Sequence, residues 1–329
     1  MKKAFIFYLF IMIFTIGVVG FFLLKCLTFD SHFSNKTIDN IKTTDNLPTL
    51  DALGYQSEYA VVPANTEINS DAFTNDTYAA LLVDNTDKKA IIAHNAFRRI
   101  YPASTTKLMT ALVVLKAVDD GKISLDDVVT LSSTTDISDP DAVKSNLTAG
   151  CSISVRNLLY GLLIKSYNDY AVILANYVGG NEQTFVDSMN AEAASLGATG
   201  CHFVNPNGLH DDNHYITAYD MYIIINAVSK YDIIHEIDSK SSFTYTYKDA
   251  NGNEQTDDIT PTNLFLDVND SLPSNIEIEA WKTGTTSLAG NVLTMNVNID
   301  GKNYTLFAAD SISPKDLYSC YSRMFNMTE

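Results

Sequence analysis

Hydrophobic and polar positions change period several times along the chain. Residues 77–95, TYAALLVDNTDKKAIIAHN, hold two short apolar runs around a polar turn, which predicts a β-hairpin. A helix is expected to open at Ser104, because Leu108, Leu112 and Leu115 recur at helical spacing. Residues 155–198 are mostly helical by pattern, with NLLYGLLI and FVDSMNAEAASLG as the clearest runs. Thr217 and Asp220 form a capping-box pattern before the apolar run MYIIINAV. The polar segment 241–262 turns at Asn251-Gly252 and reads as a second hairpin. Two further strands flank Asp300-Gly301, and PKDLYSCYSRMF predicts a last helix. Strands at both ends with helices between them predict one sheet completed by the C-terminal part, plus an inserted helical lobe. No internal repeat is visible.

The first 75 residues follow other rules. Ala4 to Leu24 is a run of 21 residues without a charge. At roughly 1.5 Å per residue, a helix of that length crosses a hydrocarbon layer of about 30 Å. The run is longer than a signal-peptide core and has no small-x-small cleavage site. It is therefore expected to be a retained single-pass anchor over 4–24. Residues 1–3 are expected to form a short cytoplasmic tail, and everything after Lys25 to lie outside the cell membrane. Residues 25–75, rich in Asn, Asp, Thr and Ser from residue 30 on, are expected to form an extracytoplasmic stem before a body over 76–329.

Composition narrows the partners. Apolar residues make up 46% of the 329, enough for a sizeable core. Three of the 22 basic residues, Lys2, Lys3 and Lys25, precede Asp30, so the rest carries 19 basic against 39 acidic groups. Such a body repels phosphate backbones, and nucleic acid is excluded as a partner. Cys26, Cys151, Cys201 and Cys320 match neither a zinc ribbon nor a C-x-x-C pair, and pairing of Cys151 with Cys201 is left open.

Three short motifs could carry chemistry. Ser104-Thr-Thr-Lys107 puts a hydroxyl and an amine three residues apart, on one face of a helix. A serine is a weak nucleophile until a base takes its proton, and a lysine whose amine is held neutral can be that base. A plain N-cap serine would look the same. Downstream, Ser166-Tyr167-Asn168 stands between two apolar helical runs, where the hydroxyl could relay a proton and the amide could hold a substrate carbonyl. Loop turn chemistry explains it equally well. A second S-x-N, Ser188 to Asn190, lies inside a helical pattern and is a decoy. Third, Lys282-Thr283-Gly284-Thr285 leads into the final strands. Its lysine and threonine suit an anionic group, and its glycine allows a close backbone approach.

In this order and at these intervals, the motifs over roughly residues 76–329 resemble the low-molecular-mass penicillin-binding proteins, the serine-type D-alanyl-D-alanine carboxypeptidases. PASTTKLMTALV, NLLYGLLIKSYNDYA and HFVNPNGLHDDNHYITAYDM are similar to that family's segments. The resemblance implies an α/β (α+β) transpeptidase or β-lactamase-like fold, with a mostly antiparallel central sheet, flanking helices and a helical lobe. It implies Ser104 as the acylated nucleophile, Lys107 as its base and Ser166 as the proton relay. Asn168 would contact substrate, Lys282 and Thr283 would bind its carboxylate, and the N–H groups of Ser104 and Thr285 would face the oxyanion. It implies peptidoglycan stem peptides ending in D-Ala-D-Ala as substrates, β-lactams as covalent inhibitors, and no cofactor or metal.

The sequence departs from the family in places. Tyr167 replaces the usual glycine of the middle motif, and Ala280-Trp281 stand where a glycine usually precedes the lysine. The family's arginine near the last helix has only Lys315 as a counterpart. The family's C-terminal β-domain and amphipathic anchor have no counterpart after the last helix, so the N-terminal run is expected to replace that anchor.

Rival readings are a class A-like β-lactamase, a D,D-transpeptidase or endopeptidase on the same fold, a zinc peptidase and a non-catalytic wall-binding protein. No E-x-x-L-N stretch, which would supply a deacylating glutamate, lies between Ser166 and Lys282. His210 and His214 sit in a Pro/Asn/Gly-rich loop rather than on a helix, which argues against zinc. A non-catalytic protein predicts at least one broken motif, and none of the three is broken.

Overall fold

A computed structural model describes residues 59–63, 66–73, 77–140, 142–266 and 272–328. Every described residue belongs to one compact unit. The predicted anchor over 4–24 lies outside the described residues. Among those, no helix is long and apolar enough to cross a membrane.

The main sheet contains β1 (Ala79–Asp84), β2 (Lys89–His94), β7 (Ile276–Thr286), β8 (Gly290–Ile299) and β9 (Lys302–Ser311). Its order is β2-β1-β9-β8-β7, with every pairing antiparallel. The predicted hairpins around residues 84–89 and 299–302 both form, and the β1–β9 pairing joins the two ends of the body. β1 is buried at all six positions, as expected for a short apolar run in the middle of a sheet.

The pleat sends alternate residues to two cores. Leu81, Val83, Val292 and Phe307 pack toward the helical lobe. Leu82, Trp281, Leu293, Met295 and Leu306 pack against α7 (Pro314–Phe325) through Leu317, Tyr321 and Met324.

The lobe inserted between β2 and β7 supplies α1 (Thr106–Asp119), α2 (Val155–Tyr160), a π-helical turn (Gly161–Lys165), α3 (Asn168–Gly179), α4 (Glu182–Leu196), α5 (Ala218–Val228) and α6 (Asp232–Asp238). Nearly every side chain of α1 is buried, so this helix runs through the core rather than over it. The Thr217/Asp220 capping box opens α5 as predicted. The decoy Ser188–Asn190 lies inside α4.

Two features differ from the sequence reading. The 241–262 hairpin, β5 (Phe243–Lys248) with β6 (Glu254–Ile259), belongs to a second sheet, β3-β4-β5-β6. Its β3 (Val128–Thr130) and β4 (Ser152–Ser154) span three residues each, too short for a period to register. The described part of the predicted stem packs on the body: Ala60, Val62 and Phe73 are buried, and Ile68 bridges to Ala93. The Tyr222 hydroxyl accepts the Ala60 N–H, and the Tyr219 hydroxyl donates to the Ala60 carbonyl. The pairing left open between Cys151 and Cys201 does not form, and both are free thiols. Cys151 Sγ lies beside the Thr148 N–H, and Cys201 Sγ donates to the Ala198 carbonyl.

Candidate active site

Ser104 lies in a single 3-10 turn, Ala103–Thr105, that feeds directly into α1. Ala103 has φ 48°, the left-handed region that a residue with a Cβ rarely adopts. The reason is visible across the turn. Gly208 (φ +85°) packs so tightly that a Cβ there would lie 1.9 Å from the Ala103 carbonyl oxygen. The loop around Gly208 is stitched to α1 at two more points. Thr110 Oγ1 donates to the Pro206 carbonyl at 2.5 Å, and Thr106 Oγ1 meets His214 Nε2 at 2.8 Å. His214 Nδ1 accepts the Val204 N–H at 3.2 Å, so Nε2 carries the ring proton and donates to Thr106. Burial draws the His214 pKa down to about 4, which keeps the ring neutral.

Lys107 is completely buried. Its Nζ lies 2.8 Å from Ser104 Oγ, 2.9 Å from Asn168 Oδ1 and 2.7 Å from the Asn207 carbonyl oxygen. Its pKa falls well below the ordinary lysine value, first because burial strips its water, then because Lys282 is a nearby cation; Asp169 opposes the fall. The Asp169 carboxylate is itself bound by the Ser145 backbone N–H and hydroxyl.

The middle motif sits where the π-helical turn meets α3. Ser166 takes the left-handed conformation (φ 65°, ψ 32°), and its buried hydroxyl has no hydrogen-bond partner among the described residues. Asn168 is the first residue of α3. Its Nδ2 donates to the Val143 carbonyl at 3.0 Å, which turns Oδ1 toward Lys107. Tyr167 is turned to the β5–β6 hairpin: its ring packs on Tyr170 and its hydroxyl donates to Asp257 at 3.1 Å. The substitution of glycine by tyrosine therefore ties the motif to the second sheet.

The third motif lies on β7, the edge strand of the main sheet. A Cβ on Gly284 would lie 2.8 Å from the Ser104 nitrogen and 3.0 Å from the Ala103 Cβ, so only glycine lets the strand press on the nucleophile turn. Lys282 is fully buried and donates to the Thr283 carbonyl at 3.1 Å. Burial draws its pKa down to about 7, against the pull of Asp238. Thr283 Oγ1 meets Thr262 Oγ1, and Thr285 Oγ1 donates to Asn291 Oδ1 at 3.3 Å. Lys315 lies exposed in the first turn of α7.

Direct contacts thus bring together Ser104, Lys107, Asn168 and Gly284, with Lys282 close enough to act on Lys107 by charge. Ser166 stands two residues from Asn168. Sequence reasoning missed Asn207, His214, Asp238 and Thr262 as supports. Asn207 and His214 fall within the quoted stretch HFVNPNGLHDDNHYITAYDM, whose Pro, Asn and Gly residues were the available signal. Among the described residues no group of three His, Cys, Asp or Glu could hold a metal ion.

A five-stranded antiparallel sheet, a helical lobe and a serine-lysine turn pressed against the edge strand together define a transpeptidase-like protein. The family model described as D-alanyl-D-alanine carboxypeptidase matches residues 65–309, and the chain belongs to that family. It is 35% identical over 175 residues to the D-alanyl-D-alanine carboxypeptidase DacF of Bacillus subtilis, covering 53% of this chain and 43% of that one. Among solved structures, the Streptomyces K15 DD-transpeptidase is 26% identical, with TM-score 0.69 over 77% of this chain and 96% of that one. Penicillin-binding protein D2 of Listeria monocytogenes, in its cefotaxime-bound form, is 25% identical, with TM-score 0.64 over 76% and 96%. The chain spans about half the length of the curated relatives it matches first.

Proposed function

We propose that the chain is a serine-type D-alanyl-D-alanine carboxypeptidase that removes the terminal D-alanine from peptidoglycan stem pentapeptides through an acyl-enzyme on Ser104. The observation that carries this reading is the buried Lys107 amine, 2.8 Å from Ser104 Oγ and held by two carbonyl-type acceptors. A neutral amine has two N–H bonds and one lone pair. Asn168 Oδ1 and the Asn207 carbonyl only accept, so they take both N–H bonds. The lone pair is left for the Ser104 hydroxyl proton, the arrangement a general base needs.

The reaction then runs as follows. Lys107 takes the Ser104 proton as Oγ attacks the carbonyl carbon of the penultimate D-alanine. The oxyanion is received by the Ser104 and Thr285 backbone N–H groups. The Ser166 hydroxyl, free of other bonds, gives its proton to the leaving amine as the protonated Lys107 replaces it, and D-alanine departs. Water attacks the ester, the proton returns to Ser104, and the shortened peptide leaves. Lys282 and Thr283, with Gly284 beside them, receive the terminal carboxylate. Asn168 has one N–H left for the substrate once Lys107 and Val143 are satisfied.

Several features support the rest of the reading. The family's solved relative in its cefotaxime-bound form supports β-lactams as covalent inhibitors that acylate Ser104. The uncharged run from Ala4 to Leu24 supports a single-pass membrane anchor over 4–24, with a tail over 1–3, a stem from residue 25 and an extracytoplasmic catalytic body.

The test is mass spectrometry of the products from a synthetic pentapeptide ending in D-Ala-D-Ala. Tetrapeptide plus free D-alanine, lost in Ser104→Ala, is the expected result. A joined peptide product would move the chain to the transpeptidases. Intact pentapeptide beside a folded, penicillin-labelled enzyme would contradict the substrate.

A further inference from the structure

Thr262 lies in the stretch that follows β6 and touches both walls of the site. Its backbone N–H donates at 3.2 Å to the carbonyl of Ile164, two residues before Ser166. Its Oγ1 lies 2.5 Å from Thr283 Oγ1 on β7. Both threonines are half-buried. The residues on either side hold Thr262 in place. The ring of Pro261 restricts the backbone just before it. Asn263, just after it, is buried. Asn263 Oδ1 accepts the Phe265 N–H at 3.2 Å and the Tyr318 hydroxyl at 3.3 Å, and Nδ2 lies 3.4 Å from Met295 Sδ. Tyr318 belongs to α7 and Met295 to β8. The Thr262 hydroxyl is thus carried by backbone pinned to the helical lobe on one side and to the second core on the other.

Two hydroxyls in contact share one hydrogen bond, and that bond has a direction. Each hydroxyl has one proton to give and lone pairs to accept with. If Thr283 gives its proton to Thr262, it turns only lone pairs toward an incoming anion. If Thr262 gives its proton instead, the Thr283 proton is left for the anion, and the two bonds in series strengthen each other. Resting on the reading that Thr283 receives the substrate carboxylate, we propose that Thr262 is a positioning residue for that receptor: its hydroxyl donates to Thr283 Oγ1 and turns the Thr283 proton toward the carboxylate.

Thr285, two residues along the same strand, supplies the contrast. Its Oγ1 donates to Asn291 Oδ1 at 3.3 Å, an amide oxygen that takes a proton and returns none. Thr262 can both give and take. The hydroxyl proton that β7 has to spare is therefore the one on Thr283, next to Lys282 in the chain, so that charge and proton meet the same anion. A hydrogen bond to a charged acceptor is stronger than one between neutral groups. The direction set by Thr262 thus matters for a ligand with a free carboxylate and little for one whose carboxylate is masked.

The experiment measures the second-order rate of acylation by benzylpenicillin and by its methyl ester, followed by intact mass, and takes the acid-to-ester ratio. It compares the full chain with Thr262→Val, Thr262→Ala, Thr262→Ser, Thr283→Val and the double variant Thr262→Val/Thr283→Val. Thr262→Val keeps the shape and deletes the hydroxyl, and is expected to lower the ratio about five- to tenfold, the scale of one hydrogen bond. Thr262→Ser, which restores the hydroxyl, should bring the ratio back to within about twofold of the unmodified chain, on the same scale. In the Thr283→Val background, Thr262→Val should change the ratio less than about twofold, because the two residues act through one bond. A ratio unmoved by Thr262→Val, acid and ester rates that fall by one factor, or effects that simply add in the double variant would overturn the role. Failure of both Thr262→Val and Thr262→Ala to fold would make Thr262 a structural residue and would overturn it too. If Thr283→Val alone leaves the ratio unchanged, it is the carboxylate reading of Thr283 that fails, and the proposal falls with it.

Discussion

The site has two walls, each built around a wholly buried lysine, and they treat it in opposite ways. On the helix wall, Lys107 stands among three oxygen atoms, two of them pure acceptors, and the loop that supplies one of them is tied to α1 by His214, Pro206 and Gly208. The acidic group acting on it, Asp169, is already bound by Ser145. On the strand wall, Lys282 has one carbonyl acceptor, an aromatic ring and a buried carboxyl behind it. Burial alone favours a neutral amine at both places. The surroundings then separate them: a neighbouring cation pushes Lys107 further toward the amine, and a neighbouring carboxyl pulls Lys282 back toward the ammonium. On the proposed mechanism one residue type would thus serve as base and as anion receptor, three residues after the serine in one case and on the facing edge strand in the other.

The sharpest way to break this contrast is to fix the charge of the helix-wall lysine. Lys107→Arg keeps a cation that does not deprotonate. Acylation by penicillin is expected to fall on the order of 10³-fold, the scale of a lost general base, with the fold retained. Near-normal acylation would remove Lys107 from the base role.

The helix wall should also be the acid-sensitive one. Folding lowers the His214 pKa from 6.5 to about 4, so between those values the unfolded chain binds the extra proton. The stability this group contributes is present above about pH 6.5 and is lost as the pH falls toward 4, by about 3 kcal/mol at most. Urea unfolding at pH 7 and pH 4.5 checks this, and His214→Gln should flatten the difference. An unchanged pH dependence in that variant would place the acid sensitivity elsewhere.

Lys282→Gln, on the strand wall, removes charge from the proposed carboxylate receptor. It is expected to lower kcat/KM for the pentapeptide by roughly 10- to 100-fold, mostly through KM, the range of a lost charged hydrogen bond. A loss confined to kcat would mean that Lys282 acts on the reacting atoms instead. The smallest effect belongs to Tyr167→Phe, which deletes the hydroxyl bond to Asp257 and should cost about 1 kcal/mol of stability. A larger loss of acylation than of stability would show that the hairpin steadies Ser166.

The two walls were also unequally legible in the sequence. The Ser104–Lys107 helix, the hairpins at 84–89 and 299–302 and the Thr217 capping box follow from local periods and caps, and all are present. The three motifs are local as well. Their supports are not. Asn207 reaches Lys107 across 100 residues, His214 reaches Thr106 across 108, and Asp238 reaches Trp281 across 43. No period or spacing carries such contacts; they exist only once the lobe closes on the sheet. The three-residue strands β3 and β4 escaped for the opposite reason, being shorter than any pattern needs. The polar stretch before residue 76 hid the buried Ala60, Val62 and Phe73, single apolar residues whose burial depends on Tyr222 and the neighbouring strands.

The central claim is that Ser104 is acylated because Lys107 presents a neutral amine to it. The most direct measurement is intact-mass spectrometry of the folded chain and of Ser104→Ala after exposure to benzylpenicillin, with peptide mapping of the adduct and a time course once free drug is removed. The account predicts one penicilloyl group on the peptide containing Ser104, none on the variant, and slow loss of the adduct. That slowness is expected because the glutamates between Ser166 and Lys282 include none in an E-x-x-L-N stretch. An adduct on another residue, or labelling of folded Ser104→Ala, would contradict it.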